Sequence, residues 1–133
     1  MIVVDAEISL GWAFEGEDAA VLRRIAEGGA LVPTLWCVEL ADGLLAAERA
    51  GAITAAESSR FLGLLRDLPV GIDRETPAHA LGDGLAVARR YGLPAGEAVY
   101  LELAIRQGLP LATRRPSLVA AAQAAGIEVI APG

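Results

Sequence analysis

Short apolar runs alternate along this chain with longer segments in which the apolar residues have helical spacing. The first run, Ile2-Val3-Val4, is rich in β-branched residues and predicts a buried strand. Comparable runs predict further strands at 30–32, 70–72, 109–113 and 128–130. Short apolar strands that alternate with helices are typical of a parallel sheet with helices on both faces. The pattern therefore predicts an α/β fold.

The segments between these runs predict helices at about 18–27, 34–50, 54–68, 76–90, 95–107 and 116–125. Thr34 can cap the second helix, and Thr54 with Glu57 three residues later has the spacing of a capping box for the third. Gly108 and Gly126 supply stop signals. The first helix opens with acidic side chains, which suit its positive end, at Glu15, Glu17 and Asp18.

The composition is that of an ordinary globular domain. The chain has 133 residues, of which 54% are apolar and 21% charged, and no linker or repeat divides it, so we expect a single domain over residues 1–133. The longest charge-free stretch, 116–127, is too short for a membrane span. No leader pattern is visible and Cys37 is the only cysteine, so we expect a cytoplasmic protein without a disulfide. Cys37 itself is predicted to be a small core residue.

The charge balance restricts the kinds of partner. The formal net charge is −6, and every basic residue is an arginine. An acidic chain is not suited to coating DNA without regard to sequence, because such proteins bind phosphates through a positive face. Nucleic acid is still possible where an arginine patch or a metal ion reverses the local sign.

Several acidic residues stand at positions where chemistry is possible. Asp5 ends the first strand, at the edge of a parallel sheet where ligands bind, although a helix cap would explain it equally well. Glu39 lies among apolar helix residues and Asp42 shares its face, although that face can simply be solvated. Glu97 is in the first turn of a helix, where the dipole alone favours an acid. Glu102 points elsewhere and is predicted to be solvated.

Acids gathered at one end of a parallel sheet would be hard oxygen ligands for Mg²⁺ or Mn²⁺. Such a site can generate hydroxide and stabilise displacement at a phosphodiester. This chemistry needs no histidine. The sole histidine, His79, has no recognisable serine partner and is predicted to lie at the surface or its boundary.

Four motifs follow one another along nearly the whole chain. They are Val3-Val4-Asp5-Ala6; Pro33-Thr34-Leu35-Trp36 through Glu39 with Asp42-Gly43-Leu44-Leu45; Glu97-Ala98-Val99-Tyr100-Leu101-Glu102-Leu103-Ala104; and Gly108-Leu109-Pro110-Leu111-Ala112-Thr113. In their order and spacing, these motifs resemble the PIN domain family, in the form of the VapC-like toxin of a VapBC toxin–antitoxin pair. This resemblance implies a three-layer PIN-like fold, with a short central parallel sheet between helices.

The resemblance also implies a function. It predicts a metal-dependent endoribonuclease, the toxin component of a type II toxin–antitoxin system, which hydrolyses RNA with Mg²⁺ (or Mn²⁺), is inhibited by a cognate antitoxin protein and forms a homodimer. Asp5, Glu39 and Glu97 would be the catalytic, metal-binding acids. The alternative is a degenerate PIN domain that does not cleave and that binds RNA or an antitoxin.

The sequence departs from the family pattern at the site. Glu97 stands in place of an aspartate, and Arg115 replaces the usual acid of a Thr-x-Asp motif. A cation at that position disfavours metal binding by like-charge repulsion. Two other positions add acids, Glu7 and Asp42. Our hypothesis is that Glu7 pairs with Arg115 or takes over the lost ligand role.

Overall fold

The computed structural model describes residues 1–14 and 19–130. Within them, five strands form one parallel sheet: β1 (Ile2–Val4), β2 (Ala30–Pro33), β3 (Val70–Asp73), β4 (Leu111–Ala112) and β5 (Val129–Ile130). The strand order is β3-β2-β1-β4-β5. All five predicted strands are therefore confirmed. The predicted acidic helix start at Glu15, Glu17 and Asp18 lies outside the described residues.

Helices complete a three-layer PIN-like architecture. They are α1 (Ala6–Phe14), α2 (Ala19–Gly28), α3 (Leu35–Arg49), α4 (Ala55–Arg66), α5 (Thr76–Ala80), α6 (Asp83–Tyr91), α7 (Ala95–Gln107) and α8 (Pro116–Ala124). The single helix predicted over 76–90 is wrong, because the chain leaves the helix at Leu81 and Gly82 and starts a new one at Asp83. Glycine has a low helix propensity, which permits the break. Among the described helices, none is long and apolar enough to cross a membrane.

The two predicted helix caps have different outcomes. Thr54 and Glu57 form the capping box: Thr54 Oγ1 accepts from the Glu57 amide at 3.1 Å, and the Thr54 amide donates to Glu57 Oε1 at 3.3 Å. Thr34 does not cap α3 with its side chain, because its backbone is already helical at φ −56° and ψ −31°. Its amide instead donates to Thr76 Oγ1 at 3.3 Å, which ties the end of β2 to the start of α5.

The core lies on the sheet, and α7 is its most buried helix. Val3, Val4 and Leu111 are fully buried, and every residue of α7 from 98 to 104 is buried as well. The prediction that Glu102 is solvated is therefore wrong, since only 5% of the residue is exposed. The prediction that Cys37 is a core residue is also wrong. It is exposed, because the neighbouring Trp36 takes the inward position on α3.

Candidate active site

The strand order creates one point at which the chain reverses its direction across the sheet. From β1 the chain proceeds to β2 and β3 on one side, and β4 and β5 follow on the other side of β1. In open parallel sheets, ligands bind at this switch point beyond the carboxyl ends of the strands. Asp5 follows β1 and Thr113 follows β4, and the Asp5 amide donates to the Ala112 carbonyl at 3.2 Å. Asp5 therefore stands at the switch point.

Asp5 is a buried carboxylate held by two donors. Only 3% of the residue is exposed. Its Oδ2 accepts from Thr113 Oγ1 at 2.6 Å, and its Oδ1 accepts from the Ile8 amide at 2.9 Å. The second bond caps the first turn of α1, so the interpretation of Asp5 as a helix cap is confirmed. Burial raises the pKa of Asp5 despite the two hydrogen bonds. A nearby cation would stabilise the charge that burial disfavours.

Glu39 reaches the same region from α3. It is half-buried, and its Oε1 accepts a 2.6 Å hydrogen bond from the Tyr100 hydroxyl on α7. Burial, together with the Glu39 carboxylate, holds the pKa of Tyr100 far above its usual value. Tyr100 therefore stays protonated and acts as a permanent donor to Glu39.

Glu97 lies in the first turn of α7. Its Oε1 accepts from Ser117 Oγ at 2.7 Å, and Ser117 belongs to the first turn of α8. The position of Glu97 in the first turn of α7 suits the helix dipole. Glu97 can also bind an ion, because the hydrogen bond from Ser117 occupies only one lone pair of the carboxylate.

The three predicted acids line a single small pocket. Asp5, Glu39 and Glu97 surround a cavity of about 20 Å³ together with Glu7, Tyr100 and Arg115. Roughly 10–15 Å³ is enough for one water molecule, so the pocket has room for a single small ion or water. Its acidic donors are all carboxylate oxygens, which fits Mg²⁺ or Mn²⁺. Asp42 is exposed and lines a neighbouring depression with Glu7, Glu39 and Arg115.

Arg115 places a positive charge at this pocket. Its Nε lies 3.2 Å from Glu7 Oε2, and each side chain is 47% exposed. Of the two roles considered for Glu7, the structure shows the ion pair. An exposed pair of this kind contributes roughly 0–1 kcal/mol. Arg115 is therefore held only loosely beside the three acids.

Sequence reasoning missed the residues that fix the acids. In the sequence, Thr113 and Tyr100 stand out only as parts of motifs, and Ser9 does not stand out. Ser9 Oγ donates to the Asp5 carbonyl at 3.0 Å and accepts from Trp36 Nε1 at 3.1 Å. The helical spacing of Tyr100 three residues after Glu97 was a usable signal. The local sequence pattern gives no signal for the contact between Thr113 and Asp5.

A second group of ligand-type side chains lies elsewhere. The ligand atoms of His79, Asp83 and Glu102 all lie within 4.8 Å of one another, and they could hold a metal ion. None of the three lines the pocket around Asp5. Sequence reasoning did not foresee this group, because it treated His79 as a boundary residue and Glu102 as solvated.

Comparison with known proteins bears on the fold. No protein-family model matches the sequence, and no curated protein matches it. PAE2754 from Pyrobaculum aerophilum has a similar structure, with a TM-score of 0.73 and 23% identity over 98% of this chain and 87% of that one. VapBC2 from Rickettsia felis, bound to a DNA fragment from their promoter, gives a TM-score of 0.68 and 13% identity over 98% of both chains.

FitAcB from Neisseria gonorrhoeae is similar as well, with a TM-score of 0.63 and 16% identity over 99% of this chain and 98% of that one. These likenesses extend over nearly the whole length of the chain, at low identity. Together with the strand order, they show that this chain has a PIN-like fold, as the resemblance in the sequence implies.

Proposed function

We propose that this chain is a Mg²⁺-dependent (or Mn²⁺-dependent) endoribonuclease that acts as the toxin of a type II toxin–antitoxin pair. The observation that carries the proposal is the convergence of Asp5, Glu39 and Glu97 on one pocket at the switch point of the sheet. The VapC-like fold supports the same function. An oxygen-only acidic site that binds a divalent ion suits the hydrolysis of phosphodiester bonds, and the fold resemblance is what favours RNA as the substrate.

Each residue of the pocket has a defined task in this proposal. Asp5, Glu39 and Glu97 would hold the ion, which when bound would activate water and stabilise charge on the phosphate. Their hydroxyl donors keep the carboxylates directed at the pocket and leave lone pairs free. The exposed guanidinium of Arg115 can release Glu7 and bind an RNA phosphate, which is a bidentate acceptor for arginine.

Cleavage of RNA by the purified protein tests the proposal. We expect cleavage in millimolar MgCl₂ or MnCl₂, none in EDTA, and a loss of roughly 100-fold in Asp5→Asn, since such a change removes a ligand to the ion. Asp67→Asn, which removes an exposed carboxylate outside the pocket, is the matched control and should cleave normally. Two results would contradict the proposed nuclease activity. One is a protein that binds neither Mg²⁺ nor Mn²⁺ at millimolar concentration, and the other is an Asp5→Asn variant that cleaves RNA as fast as the wild type.

The second candidate function is a degenerate PIN domain that binds RNA or an antitoxin without cleaving. The presence of Arg115 at the pocket favours it. Arg115→Asp distinguishes the two, because it removes the competing cation and restores an acid. If the site is merely weakened, this variant should cleave RNA faster than the wild type. If neither protein cleaves and the wild type still binds RNA, the binding function is supported instead.

The remaining proposals concern partners. The likeness to VapBC2 and FitAcB supports an antitoxin partner, and we propose that its gene adjoins this one. Co-purification with the product of the neighbouring reading frame, and inhibition of cleavage by it, tests this. A homodimer is proposed on the family resemblance and is tested by light scattering. A cytoplasmic location is consistent with the single cysteine.

A further inference from the structure

A cluster of three potential ligands lies where α5, α6 and α7 meet. His79 Nδ1 lies 3.4 Å from Asp83 Oδ2 and 3.6 Å from Glu102 Oε1. His79 belongs to α5, Asp83 is the first residue of α6, and Glu102 is in the middle of α7. We propose that these three side chains bind a divalent transition-metal ion of the Zn²⁺ class, at a site distinct from the Asp5 pocket.

The distances suit a tetrahedral ion. Metal–ligand bonds of about 2.0–2.1 Å place neighbouring ligand atoms of a tetrahedron about 3.3–3.4 Å apart. The two distances from His79 Nδ1 are close to this spacing. The side chain of Asp83 is 76% exposed, so it can turn toward an ion without disturbing the core. All three ligand atoms lie within 4.8 Å of one another, so a rotation of the exposed Asp83 side chain would complete the ligand set.

The donor types determine which ion is bound. An imidazole nitrogen with two carboxylates favours Zn²⁺ and similar ions over Mg²⁺, which prefers oxygen ligands. Three protein ligands leave a fourth position for water. An open cavity of about 420 Å³ borders Asp83 and Glu102, so solvent and ions can reach the site. This donor set differs from the oxygen-only set of Asp5, Glu39 and Glu97.

Glu102 is positioned as a metal ligand by Arg106. The Glu102 side chain is 7% exposed, and Arg106 donates to both of its oxygens, from Nε at 2.8 Å and from Nη2 at 3.1 Å. Each carboxylate oxygen has a second lone pair, so these bonds leave Oε1 able to bind an ion. Hydrogen-bonded carboxylates are the usual surroundings of a metal centre. Arg106 also donates to Asp73 Oδ2 at 2.7 Å, so its own charge stays compensated when an ion binds.

The local charge balance favours a cation. Arg106 forms ion pairs with three carboxylates, those of Asp73, Glu75 and Glu102, and Asp83 adds a fourth carboxylate beside His79. A divalent ion offsets the excess negative charge. It also joins the two short helices α5 and α6 to α7, across the break at Leu81 and Gly82.

Calorimetric titration with Zn²⁺, in buffer containing millimolar Mg²⁺ to occupy the Asp5 pocket, tests the proposal. We expect one Zn²⁺ per chain, with an affinity reduced by roughly tenfold or more in His79→Gln and in Asp83→Asn. Asp67→Asn is the matched control for an exposed carboxylate outside the cluster and should bind as the wild type does. Asp5→Asn should also bind Zn²⁺ normally, which separates this site from the proposed nuclease site.

Two further measurements give readouts that do not depend on activity. Co²⁺ bound by the wild type should show the intense visible absorption of a tetrahedral ion, and His79→Gln should lose it. Relative to chelator, Zn²⁺ should raise the Tm of the wild type and leave the Tm of His79→Gln unchanged. The proposal is overturned if the wild type binds no Zn²⁺ up to millimolar concentration, or if His79→Gln binds it as tightly as the wild type.

Discussion

Each of the three proposed ligand acids in the Asp5 pocket accepts a hydrogen bond from a hydroxyl group elsewhere in the chain. The donors are Thr113 for Asp5, Tyr100 for Glu39 and Ser117 for Glu97. A hydroxyl group directs a carboxylate without neutralising it, so the site keeps its charge for a cation. The precision of the pocket therefore depends on three neutral residues that carry no charge signal in the sequence.

Tyr100→Phe tests this dependence on neutral donors. The change removes the 2.6 Å bond to Glu39 and keeps the ring in the core. We expect Mg²⁺ affinity to fall by about tenfold, since partners of metal ligands typically contribute that much. Tyr91→Phe, on α6, makes the same chemical change outside the pocket and serves as the control. If calorimetry gives equal Mg²⁺ affinities for the two variants, Glu39 needs no orientation by Tyr100.

The candidate acids could be selected from the sequence, whereas the contacts that Thr113 and Tyr100 make with them could not, for a physical reason. Asp5 is recognisable because it ends an apolar strand, and the edge of a parallel sheet is where such residues act. Its partner Thr113 is 108 residues away, and Tyr100 is 61 residues from Glu39. Contacts of that separation exist only after the strands and helices have packed.

Helices α1 and α3, which carry Glu7 and Glu39, approach closely at Gly43. Gly43 on α3 faces the Leu10 side chain on α1, and a Cβ at Gly43 would overlap Leu10. Glu7 belongs to α1 and Glu39 to α3, so the separation of these helices sets the width of the acidic region. A larger residue at Gly43 has to displace the end of the Leu10 side chain, so the preference for glycine here is steric and does not concern backbone freedom.

Gly43→Val should therefore destabilise the fold. Overpacking of this kind costs about 1–3 kcal/mol, measured as a lower free energy of unfolding in urea. Gly63→Val is the matched control, since Gly63 also lies inside a helix and a Cβ added there would meet nothing within 4 Å. Both variants change helix propensity equally, so the difference between them isolates the contact with Leu10. Equal loss of stability in both would show that α1 and α3 adapt freely.

At the level of elements, the sequence predicted the positions of the strands better than the burial of the helices. Buried parallel strands are contiguous apolar runs, so all five were visible as such. A helical period reveals one apolar face, but it does not reveal that α7 is covered on further sides by α5 and α6. That cover turns Glu102 from a predicted surface acid into a buried one. The break at Leu81 and Gly82 has the same origin, because α6 packs separately on α7.

Over the whole molecule, α7 connects the Asp5 pocket with the Asp73–Arg106 ion pair. Glu97 faces the Asp5 pocket near its start, and Arg106 holds Asp73 at the edge strand β3 near its end. Glu97 and Arg106 are nine positions apart, which is about 14 Å at roughly 1.5 Å per residue. The segment between them, from Leu101 to Ala104, is buried. The single helix α7 therefore fixes the positions of both Glu97 and Arg106 relative to the sheet.

The Asp73–Arg106 contact makes the stability of the whole molecule depend on pH. Burial alone would raise the pKa of Asp73, but hydrogen bonds from Arg106, Thr76 and the Glu75 amide hold it below the usual value. A lowered carboxyl pKa contributes stability above the pKa of the unfolded chain, and this contribution is lost as the pH falls through the folded value. In chelator-treated protein at neutral pH, Asp73→Asn should reduce the free energy of unfolding by about 2 kcal/mol, the size of a hydrogen bond to a charged group.

The difference in unfolding free energy between wild type and Asp73→Asn should be constant near neutral pH. It should narrow as the pH falls below about 4, the ordinary pKa of an aspartate, and through the lower pKa of folded Asp73. Urea unfolding at a series of pH values measures it. Asp67→Asn, which removes an exposed carboxylate, should show a difference near zero throughout. A constant gap between Asp73→Asn and the wild type over this range would mean that the asparagine acts through packing, because a loss caused by charge must disappear once Asp73 itself is protonated.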